Sequence, residues 1–326
     1  MPHLSRRNFA TVALGLAGAL AMGTTIAQSY PSKPIRIIVG YQAGGPTDMT
    51  ARLIATKLQI ALGQPVVVEN KVGAGSNIAS EFVAAAPPDG YTLLLAAAPI
   101  TMNGFLYKNQ KYDVQKSFEP IVNVMTAPSV LAVATKLTVR TVPELVALAK
   151  QQPGKLTFGS TGNGGSQHLA GELLKQRAGI DIVHVPYKGA SAALNDLVAG
   201  HVDMVFMTSM SALPHLKSGN PRPIAVASAK RLPQLPDVPT VAESGFPGFE
   251  AQSWNGLLAP AKTPPEIIAR LNAEVNKALI APDLRETLES QGAVVLGGSS
   301  ADFGKYIGQE VAHWGKLLKT LKISMD

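Results

Sequence analysis

The residues of this chain able to do chemistry sit in four glycine-bearing turns. They are Tyr41 to Asp48 (YQAGGPTD), Lys71 to Ile78 (KVGAGSNI), Ser160 to His168 (STGNGGSQH) and Pro186 to Ser191 (PYKGAS). Each follows an apolar run and leads into an amphipathic segment, so each reads as a strand-to-helix turn. The unpaired N–H groups at a helix start, with the positive end of the helix dipole, hold a carboxylate or phosphate. Pro46 suits the first helical position, where its missing N–H costs nothing. Gly44 and Gly45 let the backbone approach a bound atom closely. Around these turns, the hydroxyls of Ser160, Thr161 and Ser166 and the amide of Asn77 are donors for an oxyanion. Tyr41 is placed to stack on a ligand or hydrogen-bond it, and Lys188 either neutralises a ligand carboxylate or stays solvated.

The two acids near the turns have two readings each. Asp48 lies in a first helical turn, where the dipole favours any carboxylate; facing the ligand, it would select an ammonium or a hydroxyl. Asp203, between apolar neighbours in HVDMVF, reads as a structural acid at a strand end, with a ligand-facing role as the alternative. Trp254 reads as packing at a crossing strand.

Other chemistries fit less well. GAGSNI and GNGGSQ start like a dinucleotide fingerprint but lack its third glycine, and no turn has the Gly-Lys-Ser/Thr of a phosphate loop. Ser166 and His168 suggest a hydrolase, but GGSQH lacks the closing glycine of GxSxG, and residues two apart at a helix start face different ways. The chain has no cysteine and six scattered histidines, with no metal-ligand spacing. No metal and no cofactor is therefore expected. Twenty-nine Lys and Arg against 22 acids suit anionic ligands. The charges are dispersed, without the basic and aromatic cluster that nucleic-acid binding requires.

The elements that must position the turns follow from the pattern. IRIIVG is a strand, residues 47–62 a helix ended by Gly63 and Pro65, and PVVVEN a second strand. A helix from about Asn77 to Ala86 leads to TLLLAAAP, whose unbroken apolar run describes a strand buried on both faces. FEPIVNVMTAPSVLAVATK gives two apolar segments broken by Pro128. A helix capped by Thr141 comes next, then βα units at KLTFGS, DIVHVPY, HVDMVFM and PIAVAS. A proline-rich linker precedes the crossing strand AQSWNGLLAP, two helical stretches and a terminal helix over 301–321. The expectation is an α/β fold of two lobes with mainly parallel sheets, helices on both faces and a ligand cleft between the lobes. Residues 28–127 with 251–326 make one lobe, and 128–250 the other.

Residues 1–27 read as an export signal: Arg6 and Arg7, an uncharged apolar run from Phe9 to Ala21, and the small-residue site Thr25-Ile26-Ala27. Both the twin-arginine and the general secretory route fit, and both lead to the periplasm.

Several segments together resemble one family: YPSKPIRIIVGYQAGGPTD, VVVENKVGAGSNIAS, PPDGYTLL, FGSTGNGGSQHLAGELL, VPYKGASAALNDLVAGHVD and WNGLLAPAKTP. They are similar to the extracytoplasmic solute-binding proteins of tripartite tricarboxylate transporters, the Bug family. The resemblance implies a class II periplasmic binding-protein fold that closes on a small carboxylate. It implies that the Ala43-Gly44-Gly45 and Ser76-Asn77 turns hold one carboxylate, while Ser160-Thr161 and Tyr187-Lys188-Gly189 close from the other side; Gly164, Ser166 and His168 in the third turn are further candidate ligand-binding residues. Gln42 replaces a proline common in that loop and alters the pocket wall. The expected partners are a small carboxylate and the membrane subunits of the transporter, with a monomeric, non-catalytic chain. The alternatives are an exported hydrolase using Ser166 and His168, or a ligand sensor for a signalling partner.

Overall fold

A β-branched run sets the first strand, β1 (Ile35–Val39), with Ile35, Ile37, Ile38 and Val39 fully buried. The structure is a computed structural model that describes residues 30–216 and 219–321. The segment read as an export signal lies outside them. The chain divides into Met1–Ser32 and Lys33–Asp326, and the elements below all belong to the second unit.

β1 pairs in parallel with β2 (Val66–Asn70) and β3 (Thr92–Ala97). The intervening helices α1 (Pro46–Leu62) and α2 (Asn77–Ala84) are the crossovers that parallel neighbours need. Gly63 ends α1 in the left-handed region, its N–H returning to the Gln59 carbonyl. All six residues of β3 are buried, as its unbroken apolar run requires.

After the one-turn helix α3 (Asn103–Leu106) comes β4 (Phe118–Val133), a single strand of 16 residues. The sequence divides it at Pro128; the structure does not. A proline interrupts a ladder by lacking an N–H, and here it stands where the strand changes partners. Up to Pro128 the strand pairs with β9 (Gln252–Pro260), and from Ser129 onward with β7 (Met204–Thr208) and β8 (Arg222–Ala227), antiparallel throughout.

The second half of the ladder is built from α4 (Val142–Gln151), β5 (Thr157–Ser160), α5 (Ser166–Ala178), β6 (Val183–Pro186), α6 (Ala190–Ala199), β7, α7 (Ser209–Leu216) and β8. Thr141 caps α4 by accepting from the Glu144 N–H at 3.3 Å, while Glu144 accepts from the Arg140 N–H. β5 pairs in parallel with β6 and β7. The chain then returns through β9, which lies antiparallel between β3 and β4, and finishes with α8 (Pro265–Ile280), α9 (Pro282–Ser290), the short β10 (Val294–Val295) on β4, and α10 (Ser300–Leu321).

The strand order is β2-β1-β3-β9-β4-β7-β5-β6, with β8 and β10 also on β4. The βα units are parallel as expected, and the strands that cross between the halves, β4 and β9, run against their neighbours and make the sheet mixed. Trp254 on β9 is fully buried, edge-on to Phe303 and Tyr306 at 5.6 and 5.9 Å, with its Nε1 donating to Glu310. It anchors α10 against the first half of the sheet.

Candidate functional site

The helices α1, α2, α5 and α6 begin after the four glycine turns, and none has a side-chain cap. The first-turn N–H groups of α1, α5 and α6 therefore have no intrahelical acceptor and no capping side chain, whereas the Asn77 N–H that opens α2 returns to the Ala74 carbonyl. One cavity of about 770 Å³ meets all four turns. Tyr41, Ala43, Gly44, Gly45 and Ser76 line it from the first half, and Thr161, Gly164, Ser166, Lys188 and Gly189 from the second.

The fit at the first turns is close. A Cβ on Gly40 would stand 1.9 Å from the Ser76 Oγ, so glycine alone lets the end of β1 lie against the start of α2. Gly44, at φ 80°, turns its N–H onto Asp48, a conformation glycine adopts without strain.

Six of the expected residues are not on the cavity wall but behind it. Asp48 is 1% exposed and accepts from the Gly44 N–H at 2.9 Å, from Arg52 Nε and Nη2 at 2.9 and 3.0 Å, and from Asn70 Nδ2 at 2.9 Å. Burial opposes its ionisation, but the bonds from Arg52, Gly44 and Asn70 and the Arg52 charge together hold its carboxyl below the usual range. Asn70 also donates to the Tyr41 carbonyl at 2.9 Å. Asp48 thus braces the Tyr41 to Gly45 turn, and its lone pairs are taken up there. The Asn77 Oδ1 accepts from Asn103 and Tyr112, both at 2.8 Å, while Asn103 reaches the Gly75 carbonyl at 2.9 Å. Burial pushes the Tyr112 phenol up to about 12.

In the second half, Ser160 Oγ donates to the Gly162 carbonyl at 2.9 Å and lies 2.7 Å from His184 Nε2. His168 Nδ1 accepts from the Gly164 N–H at 3.1 Å, which places any proton of the neutral ring on Nε2. The His168 and His184 rings stack 3.9 Å apart, with Phe158 4.8 Å from His184. Burial, with the neighbouring His184, pulls His168 down to about 4, and burial does the same to His184. Both rings are neutral at pH 7. Tyr187 donates to Asp196 at 2.8 Å, and burial first, then this contact, pushes its phenol up to about 12. Asp203 accepts from the Thr157 N–H at 2.8 Å and from Lys136 at 2.9 Å, tying β5 to β7 in the structural role.

Several wall residues escape a reading of turns alone. Thr208, Ser253, Asn255 and Gln291, outside the turns, bring hydrogen-bonding groups to the cavity, as do Thr47 and Gln167 within them. Asn255, 2% exposed, donates to Thr47 Oγ1 and to the Ala96 carbonyl, both at 3.2 Å. A lone amide inside the apolar strand WNGLL was the available signal. Tyr41 carries a buried hydroxyl with no hydrogen-bond partner among the described residues, and burial holds its phenol far above the usual range. No cluster able to hold a metal occurs among the described residues.

The family model described as tripartite tricarboxylate transporter family receptor matches residues 50–323. The chain belongs to that family. A receptor-family relative from Pseudomonas sp. strain P51, the protein in the tcbD-tcbE intergenic region, is 40% identical over 100% of this chain and 98% of its own. Protein BugT of Bordetella pertussis is 36% identical over 96% of this chain and 97% of its own. Among solved structures of the family, R. palustris Rpa4515 with adipate superposes with a TM-score of 0.85 at 37% identity, covering 91% of this chain and all of that one. The ligand of Rpa4515, adipate, is a dicarboxylate. No helix among the described residues is long and apolar enough to cross a membrane.

Proposed function

We propose that this chain is a periplasmic, non-catalytic binding protein that encloses a small organic acid in the cavity and delivers it to the membrane subunits of a tripartite tricarboxylate transporter. The observation that carries the reading is the meeting of four uncapped helix starts, two from each half of the sheet, at one cavity. An anion at one helix start gains about 0.3 to 2 kcal/mol, whereas micromolar affinity needs about 8. Direct hydrogen bonds from Ser76 and the turn N–H groups must supply the rest, which favours an enclosed site; the Thr161 and Ser166 hydroxyls donate to Gln167 and shape the wall beside it. Residues 28–127 with 251–326 and residues 128–250 are the two lobes that close on it, exchanging through β4 and β9. Tyr41, Ala43 to Gly45 and Ser76 act from one lobe, and Thr161, Gly164, Ser166, Lys188 and Gly189 from the other. Asp48, Asn77, Ser160, His168 and Tyr187 position them, and Asp203 holds β5 to β7 at the far end of those strands.

The hydrolase alternative needs Ser166 and His168 as a pair, and they do not pair. Ser166 Oγ donates to Gln167, and His168 Nδ1 is taken by Gly164. The test is a thermal-shift screen of the purified protein against carboxylates, with phosphates and nucleotides as controls. A ligand at a hundred times its dissociation constant stabilises the native state by about 2.7 kcal/mol. The reading requires a shift with carboxylates; stabilisation by phosphates or nucleotides alone would overturn it.

A further inference from the structure

The walls between the glycine turns carry a chemistry of their own. Four of the nine methionines line the cavity: Met49, Met125, Met207 and Met210. They come from four different elements, α1, β4, β7 and α7, so no single helix or strand pattern accounts for their meeting. Three of them are at most 4% exposed, so they are packed in place and give the wall a fixed, polarisable backing. Thioethers make favourable contacts with aromatic rings and adapt to their outline.

The charges on the wall narrow the ligand further. No Asp or Glu is among the described residues lining the cavity. The nearest acid in sequence, Asp48, already has its carboxylate satisfied by Arg52, Asn70 and Gly44. An ammonium group would be buried without a counter-charge, which is costly. Lys188 is the one Lys or Arg on the wall among those residues, and it has no ion-pair partner among them. It matches one carboxylate and leaves further carboxylates to neutral donors.

We infer that the ligand is an aromatic carboxylate without an ammonium group, its carboxylate held at the glycine turns and its ring laid against the methionine-bearing wall. This rests on the carboxylate reading of the same cavity and narrows it to one class.

The test is isothermal titration of the purified protein with benzoate, 2-naphthoate, adipate, malate and glutamate, repeated for Met49→Gln. Met49 is only half-buried, which makes it the methionine to replace with least effect on folding. The expected result is a dissociation constant for benzoate or 2-naphthoate at least tenfold below those for malate and glutamate, and below that for adipate. Met49→Gln should raise the aromatic value threefold or more, a larger factor than for any of the aliphatic acids. Tighter binding of adipate, malate or glutamate than of either aromatic acid would overturn the inference while leaving carboxylate capture standing. An aromatic affinity that Met49→Gln does not change would also overturn it. Binding of none of the five would remove both readings.

Discussion

The two halves of the sheet present the same kind of helix start to the cavity, yet they hold it in place by different means. In the first half the turn before α1 is braced by charge: an ionised Asp48 gathers Arg52, Asn70 and the Gly44 N–H. In the second half the turn before α5 is braced by neutral rings: His168 accepts from Gly164, and its stacking partner His184 lies on Ser160. A bound carboxylate adds negative charge near both. The Asp48 charge is already balanced by Arg52, and the histidine pair carries none, so neither brace opposes the ligand. The difference teaches that a helix-start site needs a rigid turn more than it needs a particular charge.

The largest effect should come from Asp48→Ala. Removing one member of a buried, hydrogen-bonded pair costs about 3 to 5 kcal/mol; here Arg52 is half exposed and regains water, so a loss of about 2 to 3 kcal/mol in denaturant unfolding is expected, together with weaker ligand binding. Gly40→Ala comes next. Its new Cβ would force Ser76 and the start of α2 outward, and overpacking of this kind costs about 1 to 3 kcal/mol. It should lower affinity more than Asp48→Ala does relative to the stability lost, because Ser76 lines the cavity.

Acid separates the two braces. The histidines titrate near 6.5 when unfolded and are pulled down to about 4 when folded. The unfolded chain therefore binds more protons in that window, and stability falls as pH drops from about 6.5 through 4. A proton on His168 Nδ1 also ends its bond from Gly164, and two charged rings at 3.9 Å repel. Asp48 keeps its proton off until lower pH, because its carboxyl is held below the usual range. Hydrogen exchange at pH 5 should thus open 160–166 before 41–45. His184→Phe should keep the stack, lose about 1 kcal/mol through the missing bond to Ser160, and flatten the slope between pH 6.5 and 4.

The smallest effect marks the boundary of the site. Thr141→Ala removes the cap of α4, which does not reach the cavity, and should cost about 1 kcal/mol without changing ligand affinity.

The turns themselves were legible because glycine, proline and apolar periodicity are local signals, and α1 begins at Pro46 as its proline suggests. Parallel βα units followed from the same pattern. β4 was not legible as one strand, since the break expected at Pro128 is cancelled by a change of partner that only the tertiary fold supplies. The roles of Asn77, Ser160 and His168 were hidden for a related reason. Their partners Asn103, Tyr112, His184, the Gly162 carbonyl and the Gly164 N–H lie far along the chain or depend on backbone geometry, so groups that suit a ligand are taken up in bracing. The methionine wall was equally hidden, being assembled from α1, β4, β7 and α7.

The most direct measurement is a titration of backbone amide resonances of the isotope-labelled protein with a carboxylate that stabilises it. The account predicts the largest shifts at Thr47, Ser166, Gln167, Ala190 and Ser191, the first-turn N–H groups of three uncapped helices from both halves. Large shifts confined to one half, or centred away from these helix starts, would contradict it.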